Sequence, residues 1–199
     1  MSTQPLTFNH WERTREFLVK QRVTISLFVF STLIVKDVVL RTRPHDTADV
    51  HDPLAVAGLA AVLIGLVIRS WAAGVINKTK VLATRGPYRL CRHPLYLGSL
   101  TMMFGFCVLL GSLADAAVVF GPMLGVYLLT MRREERRLAE RYGPAWAQYA
   151  ATAPQFFPYR PFTDWRCEWS LAQWLDNREY KAALTATAAL FVLHLWRVM

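Results

Sequence analysis

Five apolar runs divide the chain, and they constrain its fold more than any other feature of the sequence. Each run is close to the roughly 17 to 25 residues that cross the hydrocarbon of a bilayer as a helix. The runs cover residues 23–40, 54–76, 95–113, 116–131 and 182–198. With 54% hydrophobic residues, the chain carries more apolar surface than a soluble core of 199 residues requires. We therefore expect an all-α fold, an integral membrane helical bundle with about five transmembrane helices.

The third and fourth runs carry no charged side chain and are the strongest span predictions, whereas the fifth, which contains His194, is the weakest. Only Ala114 and Asp115 separate the third run from the fourth, so these two helices are expected to form a tight antiparallel hairpin. The second run contains Arg69. Its guanidinium either extends along the helix to the membrane surface or faces the bundle interior and contacts a charged cofactor or substrate.

The basic residues are distributed unevenly along the chain. Of the 23 lysines and arginines, 18 lie before the first run or in the loops after the second and fourth runs, against 2 in the loop after the first run and 1 at the C-terminal end. Because cytoplasmic loops are enriched in Lys and Arg, this asymmetry predicts a cytoplasmic N-terminus and a cytoplasmic location for both polar blocks described below. Membrane topology and attraction to anionic membrane lipid account for the net charge of +9. We therefore expect no nucleic-acid partner. The expected location is a bacterial inner membrane.

Three parts follow from this pattern. Residues 1–22 are polar and mixed in charge, which predicts a cytoplasmic amphipathic segment rather than a cleaved signal peptide. Residues 23–158 form the predicted membrane core. Residues 159–199 form a C-terminal tail that includes the possible fifth span.

The first of two polar blocks lies between the second and third runs. Gly86-Pro87 predicts a turn and Pro94 suits the first position of a helix, so residues 88–93 are expected to form a rim before a helix N-terminus. Free backbone N–H groups and the helix dipole favour a bound anion there, and the arginines of the block strengthen that preference. The alternative is that these arginines only anchor the cytoplasmic side of the bundle.

The second block follows the fourth run and begins with charged residues that include Glu134 and Glu135. We predict one long helix that leaves the membrane and ends at Gly143, with Pro144 beginning the next turn. Glutamates just after the end of the fourth run can accept hydrogen bonds from ribose hydroxyls or an amino group, or hold an arginine of the first block. The alternative is an exposed lattice of Glu and Arg side chains along the helix surface.

Neither the histidines nor the cysteines predict a metal or disulfide site. His45, Asp52 and their acidic neighbours have no recognised ligand spacing, so we expect a solvated loop and no metal. Cys91, Cys107 and Cys167 have no paired framework and are expected to be reduced thiols.

The two blocks read Arg89-x-x-Arg92-His93-Pro94-x-Tyr96-x-Gly98 and Glu134-Glu135-x-x-Leu138-x-x-x-Tyr142-Gly143-x-x-Trp146-x-x-Tyr149. Together they resemble the isoprenylcysteine carboxyl methyltransferase and phospholipid methyltransferase superfamily. The resemblance covers about residues 54–158. It implies a small helical bundle that binds S-adenosylmethionine in a cytoplasm-facing pocket and takes a lipophilic acceptor from the bilayer. The tail, which lies outside these motifs, is expected to close the pocket or to shape acceptor entry.

Carried over by motif position, the resemblance implies a cofactor-binding set of Tyr88, Arg89, His93, Tyr96, Glu134, Glu135 and Tyr142. Arg92 and Glu135 are the expected catalytic residues, since an arginine can orient an acceptor carboxylate and a carboxylate can take a proton from an acceptor amine. A sulfonium methyl is already electrophilic, so the reaction requires alignment and exclusion of water rather than a metal. The accepting atom remains open among carboxylate oxygen, amine nitrogen and thiol sulfur.

Two other functions remain open. Membrane reductases of the sterol type, which use NADPH, are similar to this chain at residues 92–98 and around Tyr142-Gly143. They usually have more spans, and five spans with the Glu134-Glu135 pair favour methyl transfer. A non-enzymatic membrane scaffold, the third possibility, would bind neither cofactor.

Overall fold

The computed structural model describes residues 43–77, 81–111, 113–158 and 167–198, together with isolated positions between residues 24 and 39. The four continuous ranges contain helices and no strand, which confirms the all-α prediction for this part of the chain. The seven helices are α1 (Pro53–Val75), α2 (Pro87–Leu90), α3 (Pro94–Leu110), α4 (Leu113–Tyr142), α5 (Pro144–Thr152), α6 (Leu171–Asp176) and α7 (Glu179–Val198). The predicted amphipathic segment lies outside the described residues, and the predicted first span is described only at isolated positions.

α1 begins at a capping residue that is itself held in place. The side chain of Asp52 accepts hydrogen bonds from the backbone N–H groups of Leu54 at 2.9 Å and Ala55 at 3.3 Å, which satisfies two of the free donors at the helix start. Nδ1 of His45 lies 2.6 Å from Oδ2 of the same carboxylate. His45 therefore links the loop before α1 to the start of that helix.

α1 is long and apolar enough to cross a membrane, with a mean hydropathy of 2.1 over its most apolar stretch. Only 22% of that stretch is buried within the structure, so most of its residues keep some exposed surface. α3 is also apolar but has 17 residues. Among the described helices, α1 is the clear candidate for a membrane span.

α1 and α3 pack as antiparallel neighbours through two facing pairs of glycines, Gly58 with Gly105 and Gly65 with Gly98. A Cβ atom added at Gly65 would lie 2.6 Å from the carbonyl oxygen of Gly98, and one at Gly98 would lie 2.6 Å from the carbonyl oxygen of Gly65. Such distances leave no room for a side chain on either helix. The glycines therefore set the close approach of the two helices, as small residues do in membrane helix pairs.

The hairpin between α3 and α4 turns earlier than the sequence predicted. Gly111 adopts a left-handed φ of 77°, and this conformation ends α3 at Leu110. α4 starts at Leu113, so Ala114 and Asp115 lie inside the helix rather than in the connection. The predicted boundary was therefore wrong by a few residues, because the left-handed glycine ends the helix inside the apolar run.

α4 is one helix of 30 residues that ends at Tyr142. Gly143 follows with a φ of 49°, and Pro144 is the first residue of α5. This confirms the predicted long helix and its stop. The apolar half of α4 packs on α3 around Cys107, while the charged half continues past the start of α3 and places its glutamates beside that helix.

The described part of the tail, residues 167–198, docks on the last two turns of α1. The indole N–H groups of Trp169 and Trp174 donate to the backbone oxygen and hydroxyl of Ser70 at 3.1 and 2.8 Å, and the side-chain amide of Asn177 donates to Ala73 O and Ile76 O at 2.8 and 3.0 Å. The two bonds from Asn177 satisfy carbonyl groups that a helix end leaves free. The tail is therefore an integral part of the bundle.

α7 continues from this docking point along α1 and α3. Its buried residues Ala186 and Leu193 share one apolar cluster with Val62 of α1 and with Phe106 and Leu109 of α3. The opposite face of α7 is apolar and exposed. α7 thus runs beside the candidate span over much of its length.

Candidate functional site

One cavity of about 540 Å³ lies where the end of α1, the start of α3 and the charged half of α4 converge. Its lining includes six of the residues singled out in the sequence: Tyr88, Arg92, His93, Tyr96, Glu134 and Tyr142. Glu135 is not part of the lining but contacts two residues that are. Arg89 is exposed on α2 and also lies outside the lining. The two polar blocks thus meet around a single cavity.

Glu135 joins the second block to the first. Its Oε1 atom lies 3.1 Å from His93 Nε2 and 3.0 Å from a terminal nitrogen of Arg92. His93 immediately precedes Pro94, the first residue of α3, so the side chain is held where the helix begins. The three side chains are 19%, 4% and 17% exposed for Glu135, His93 and Arg92, which makes this a largely buried charge cluster.

The charge state of Glu135 follows from these partners. Burial alone raises the pKa of this carboxyl, but the hydrogen bond with His93 and the positive charge of Arg92 outweigh burial and hold the pKa below its usual value. The carboxylate is therefore ionised at neutral pH. His93 must then donate its Nε2–H to it, which fixes the orientation of the imidazole.

Glu134 is held by a different residue of α3. The hydroxyl of Tyr96 donates to Glu134 Oε1 at 2.7 Å, and Nδ1 of His93 lies 4.0 Å from Glu134 Oε2. The Tyr96 ring packs edge-on against Tyr127 with their centroids 5.3 Å apart. Glu134 itself is 44% exposed and lines the cavity. Both glutamates therefore face α3, which argues against the alternative of an exposed Glu-Arg lattice. We call Arg92, His93, Tyr96, Glu134 and Glu135 the rim cluster.

Behind the rim cluster, α2 and α5 form an aromatic wall. The Tyr149 hydroxyl donates to the backbone oxygen of Tyr88 at 2.6 Å, and burial raises the pKa of both tyrosines, so both are neutral. The guanidinium of Arg92 lies 5.9 Å from the ring centroid of Trp146, and the backbone N–H of Arg92 donates to Pro154 O at 2.8 Å. Trp146 and Tyr149 line the cavity but were absent from the predicted site set. Their position in the second motif was the signal that could have added them.

The end of the cavity inside the bundle contains a buried ion pair. Nε and Nη2 of Arg69 donate to Oε1 and Oε2 of Glu179 at 2.7 and 2.8 Å, and Arg69 Nη1 also donates to the Ser99 hydroxyl. Both charged residues line the cavity, and we call them the inner pair. Arg69 therefore faces the interior, the second alternative raised above, although its partner is a protein carboxylate.

Glu179 and Asn177 reach the cavity from the tail, and the sequence analysis named neither. An arginine inside an apolar run needs a charged or polar partner, and Glu179 stands just before the fifth apolar run. The opposite charges of Arg69 and Glu179 were the signal for this pair in the sequence. It could not identify the pair, because 110 positions separate the two residues.

Comparisons with known proteins give one matching family profile and two relatives of the chain. The sequence profile described as phospholipid methyltransferase matches residues 54–145, which contain both polar blocks. The chain is 34% identical to the cobalt-zinc-cadmium resistance protein CzcN of Cupriavidus metallidurans over 155 residues, 75% of this chain and 71% of that protein. It is 30% identical to the nickel-cobalt-cadmium resistance protein NccN of Alcaligenes xylosoxydans xylosoxydans over 144 residues, 71% of this chain and 67% of that protein.

No solved structure gives a significant match to the chain. The profile match spans the helices α1 to α4 that surround the cavity, and each of the two relatives covers more than two thirds of the chain. On this combined evidence, the chain belongs to the phospholipid methyltransferase family.

Proposed function

We propose that the protein transfers a methyl group from S-adenosylmethionine to a small lipophilic acceptor at the cytoplasmic face of a membrane. The observation that carries the proposal is a single cavity that runs from the charged rim cluster to the inner pair, which joins α1 to α7. The two ends of this cavity can hold a charged cofactor and the polar head of a lipophilic acceptor side by side. Family membership supports the same chemistry.

The residues of the cavity fit S-adenosylmethionine in size and chemistry. A volume of about 540 Å³ lies within the usual range for cofactor pockets. Glu134 offers a carboxylate for ribose hydroxyls or the amino group, and Arg137 offers a positive charge for the cofactor carboxylate. Nε of Arg92 is buried and has no hydrogen-bond partner among the described residues, so one donor is available to a bound group.

When bound, S-adenosylmethionine supplies an electrophilic methyl group on a sulfonium centre. The chain must then align the acceptor and exclude water. Arg92 lines the cavity and orients the acceptor or cofactor, while Glu135 lies outside the lining and positions Arg92 and His93. Glu134 lines the cavity and is the carboxylate placed to take a proton from an acceptor amine.

We place this function in a membrane bundle of about five spans. α1 has the length and composition of a span, and α3, the apolar half of α4 and α7 all pack beside it or beside one another. α1 and α3 have their cavity ends on the side that the distribution of Lys and Arg assigns to the cytoplasm. The rim cluster would then lie at the headgroup level, with the inner pair deeper in the bilayer.

Mass spectrometry of lipids tests the proposal directly. Membranes that contain the protein are incubated with S-adenosylmethionine carrying a deuterated methyl group, and extracted lipophilic molecules are screened for the added mass. We expect at least one labelled species with the wild type and loss of label with His93→Ala. Absence of label from the wild type, in membranes where the protein binds the cofactor, would reject transfer to a lipophilic acceptor.

The names of the two relatives point to a physiological setting. Both are named as resistance proteins for cobalt and cadmium, together with zinc or nickel. We propose that methyl transfer by this chain contributes to metal resistance. A strain that lacks the protein should grow less well on cobalt or cadmium, and the wild type but not His93→Ala should restore growth. Equal restoration by both would separate resistance from methyl transfer.

A further inference from the structure

The inner pair lies within the bundle rather than at its surface. Arg69 stands six residues before the end of α1, which is about 9 Å along the helix axis. The side chains of Arg69 and Glu179 are 22% and 4% exposed. Burying a charged pair inside the bundle costs free energy, because both groups lose their hydration. The presence of the pair therefore requires a structural or functional reason.

The geometry of the pair cancels its charge within the cavity. Two nitrogens of Arg69 bind both oxygens of Glu179, and the third donates to the Ser99 hydroxyl and, at 3.5 Å, to Leu95 O. Ser99 and Tyr127, which line the same cavity, are polar but uncharged. This end of the cavity therefore offers hydrogen-bonding groups with no net charge.

We propose that the inner pair forms the acceptor subsite, and that its neutrality selects lipophilic acceptors with an uncharged, hydrogen-bonding head over acceptors with an anionic head. The inference rests on the proposed methyl transfer, since it names the acceptor class of that site. Glu179 is the specificity-determining residue. It cancels the attraction that Arg69 would otherwise exert on a carboxylate or phosphate, and it adds repulsion of its own.

The position of Glu179 in the sequence supports this role. The profile match of the family ends at residue 145, whereas Glu179 belongs to the tail that docks on α1. The rim cluster thus belongs to the matched segment, whereas the carboxylate that balances the charge of Arg69 comes from outside it. A purely structural role for the pair, that of holding the tail on α1, makes a different prediction for ligand preference.

Binding of two simple amphiphiles tests the proposal. Purified protein in a non-ionic detergent is titrated with radiolabelled dodecanol and dodecanoate, which share a chain length and differ in head charge. We expect the wild type to prefer dodecanol. Glu179→Gln should shift the ratio of the two affinities toward dodecanoate by roughly tenfold or more, because the charge of Arg69 is then uncompensated.

A second variant, Arg69→Gln, tests the proposal if Glu179→Gln does not fold. Arg69→Gln leaves the carboxylate uncompensated, so it should gain affinity for dodecylammonium relative to dodecanol. The double variant Arg69→Gln/Glu179→Gln should keep the wild-type preference for the neutral head. Glu140→Gln removes the same charge from an exposed position on α4 outside the cavity and should change no ratio.

A purely structural pair would alter the affinities for all three probes by the same factor. That result in a folded variant, or a wild-type preference for dodecanoate, would overturn the proposal. Calorimetric binding of S-adenosylmethionine is measured on the same preparations. Absence of S-adenosylmethionine binding by the wild type would reject the methyltransferase proposal. An unchanged ratio of amphiphile affinities in Glu179→Gln, with cofactor binding intact, would reject only the acceptor class.

Discussion

Nε2 of His93 lies 3.1 Å from Oε1 of Glu135, so the residue that precedes α3 is bonded to the charged half of α4. Arg92 binds the same carboxylate oxygen at 3.0 Å. This one oxygen therefore joins the two polar blocks across 42 positions of the chain. The rim cluster depends on the α3–α4 hairpin for its geometry and on Glu135 for its charge balance.

Replacement of Glu135 by Gln should make stability less dependent on pH. The folded-state pKa of Glu135 is below the value of an unfolded glutamate, about 4.3. Its contribution is therefore present above that value and is lost as the pH falls through the lower folded-state pKa. We expect the wild type to lose its advantage over Glu135→Gln in thermal unfolding as the pH is lowered below about 4. The exposed Glu140→Gln variant should follow the wild type, and a pH-independent difference between wild type and Glu135→Gln would contradict the assignment.

The facing glycines should not tolerate a methyl group. Gly65→Ala or Gly98→Ala would place a Cβ 2.6 Å from a backbone oxygen of the opposite helix, so α1 and α3 would have to separate. We expect a loss of about 1 to 3 kcal/mol in the free energy of unfolding. Gly121 and Gly125 of α4 have nothing within 4 Å of an added Cβ, so alanine there should be neutral or slightly stabilising. Equal effects in the two groups would show that the close approach is not required.

The Tyr149 hydroxyl should stabilise the wall of the cavity. Tyr149→Phe leaves the Tyr88 carbonyl without its 2.6 Å donor in a buried setting. The expected loss is about 1 to 2 kcal/mol in denaturant unfolding. Tyr180→Phe removes the same hydroxyl from an exposed ring and should change stability little. A Tyr149→Phe protein as stable as the wild type would mean that the carbonyl finds another donor.

The three cysteines should differ in reactivity toward a maleimide at pH 8. Burial raises the pKa of the Cys91 thiol to about 11, and Cys107 is 4% exposed within the α3–α4 interface. Cys167 is half-buried beside Gly86 and Trp71, where the tail meets the rest of the bundle. We expect labelling of Cys167 before the other two, and Cys167→Ser should abolish the early phase. Early modification of Cys91, located by peptide mapping, would show that α2 does not hold its buried position.

The predictions that succeeded rest on local chemistry. Gly143 and Pro144 mark a helix stop and a helix start, and Pro94 marks a first turn, because each residue restricts its own backbone. The hairpin boundary was wrong because residues 111–113 are as apolar or small as the run that contains them. A left-handed conformation at Gly111 is not visible in hydropathy.

The site was predictable where its residues lie close together in the sequence. The rim cluster comes from two compact blocks, and the strong apolar runs between them imply that a hairpin brings the blocks together. The inner pair joins α1 to the tail, and Asn177 reaches the cavity by capping α1. Pairings of this kind depend on how helices pack rather than on any local pattern, so the sequence alone left Arg69 with two alternatives.

Calorimetric titration of the purified protein with S-adenosylmethionine, and separately with NADPH, tests the central claim most directly. We expect saturable binding of S-adenosylmethionine by the wild type, weaker binding by His93→Ala and Glu134→Ala, and none of NADPH. Saturable binding of NADPH alone would instead support a reductase, and binding of neither cofactor by folded protein would contradict the assignment of the cavity.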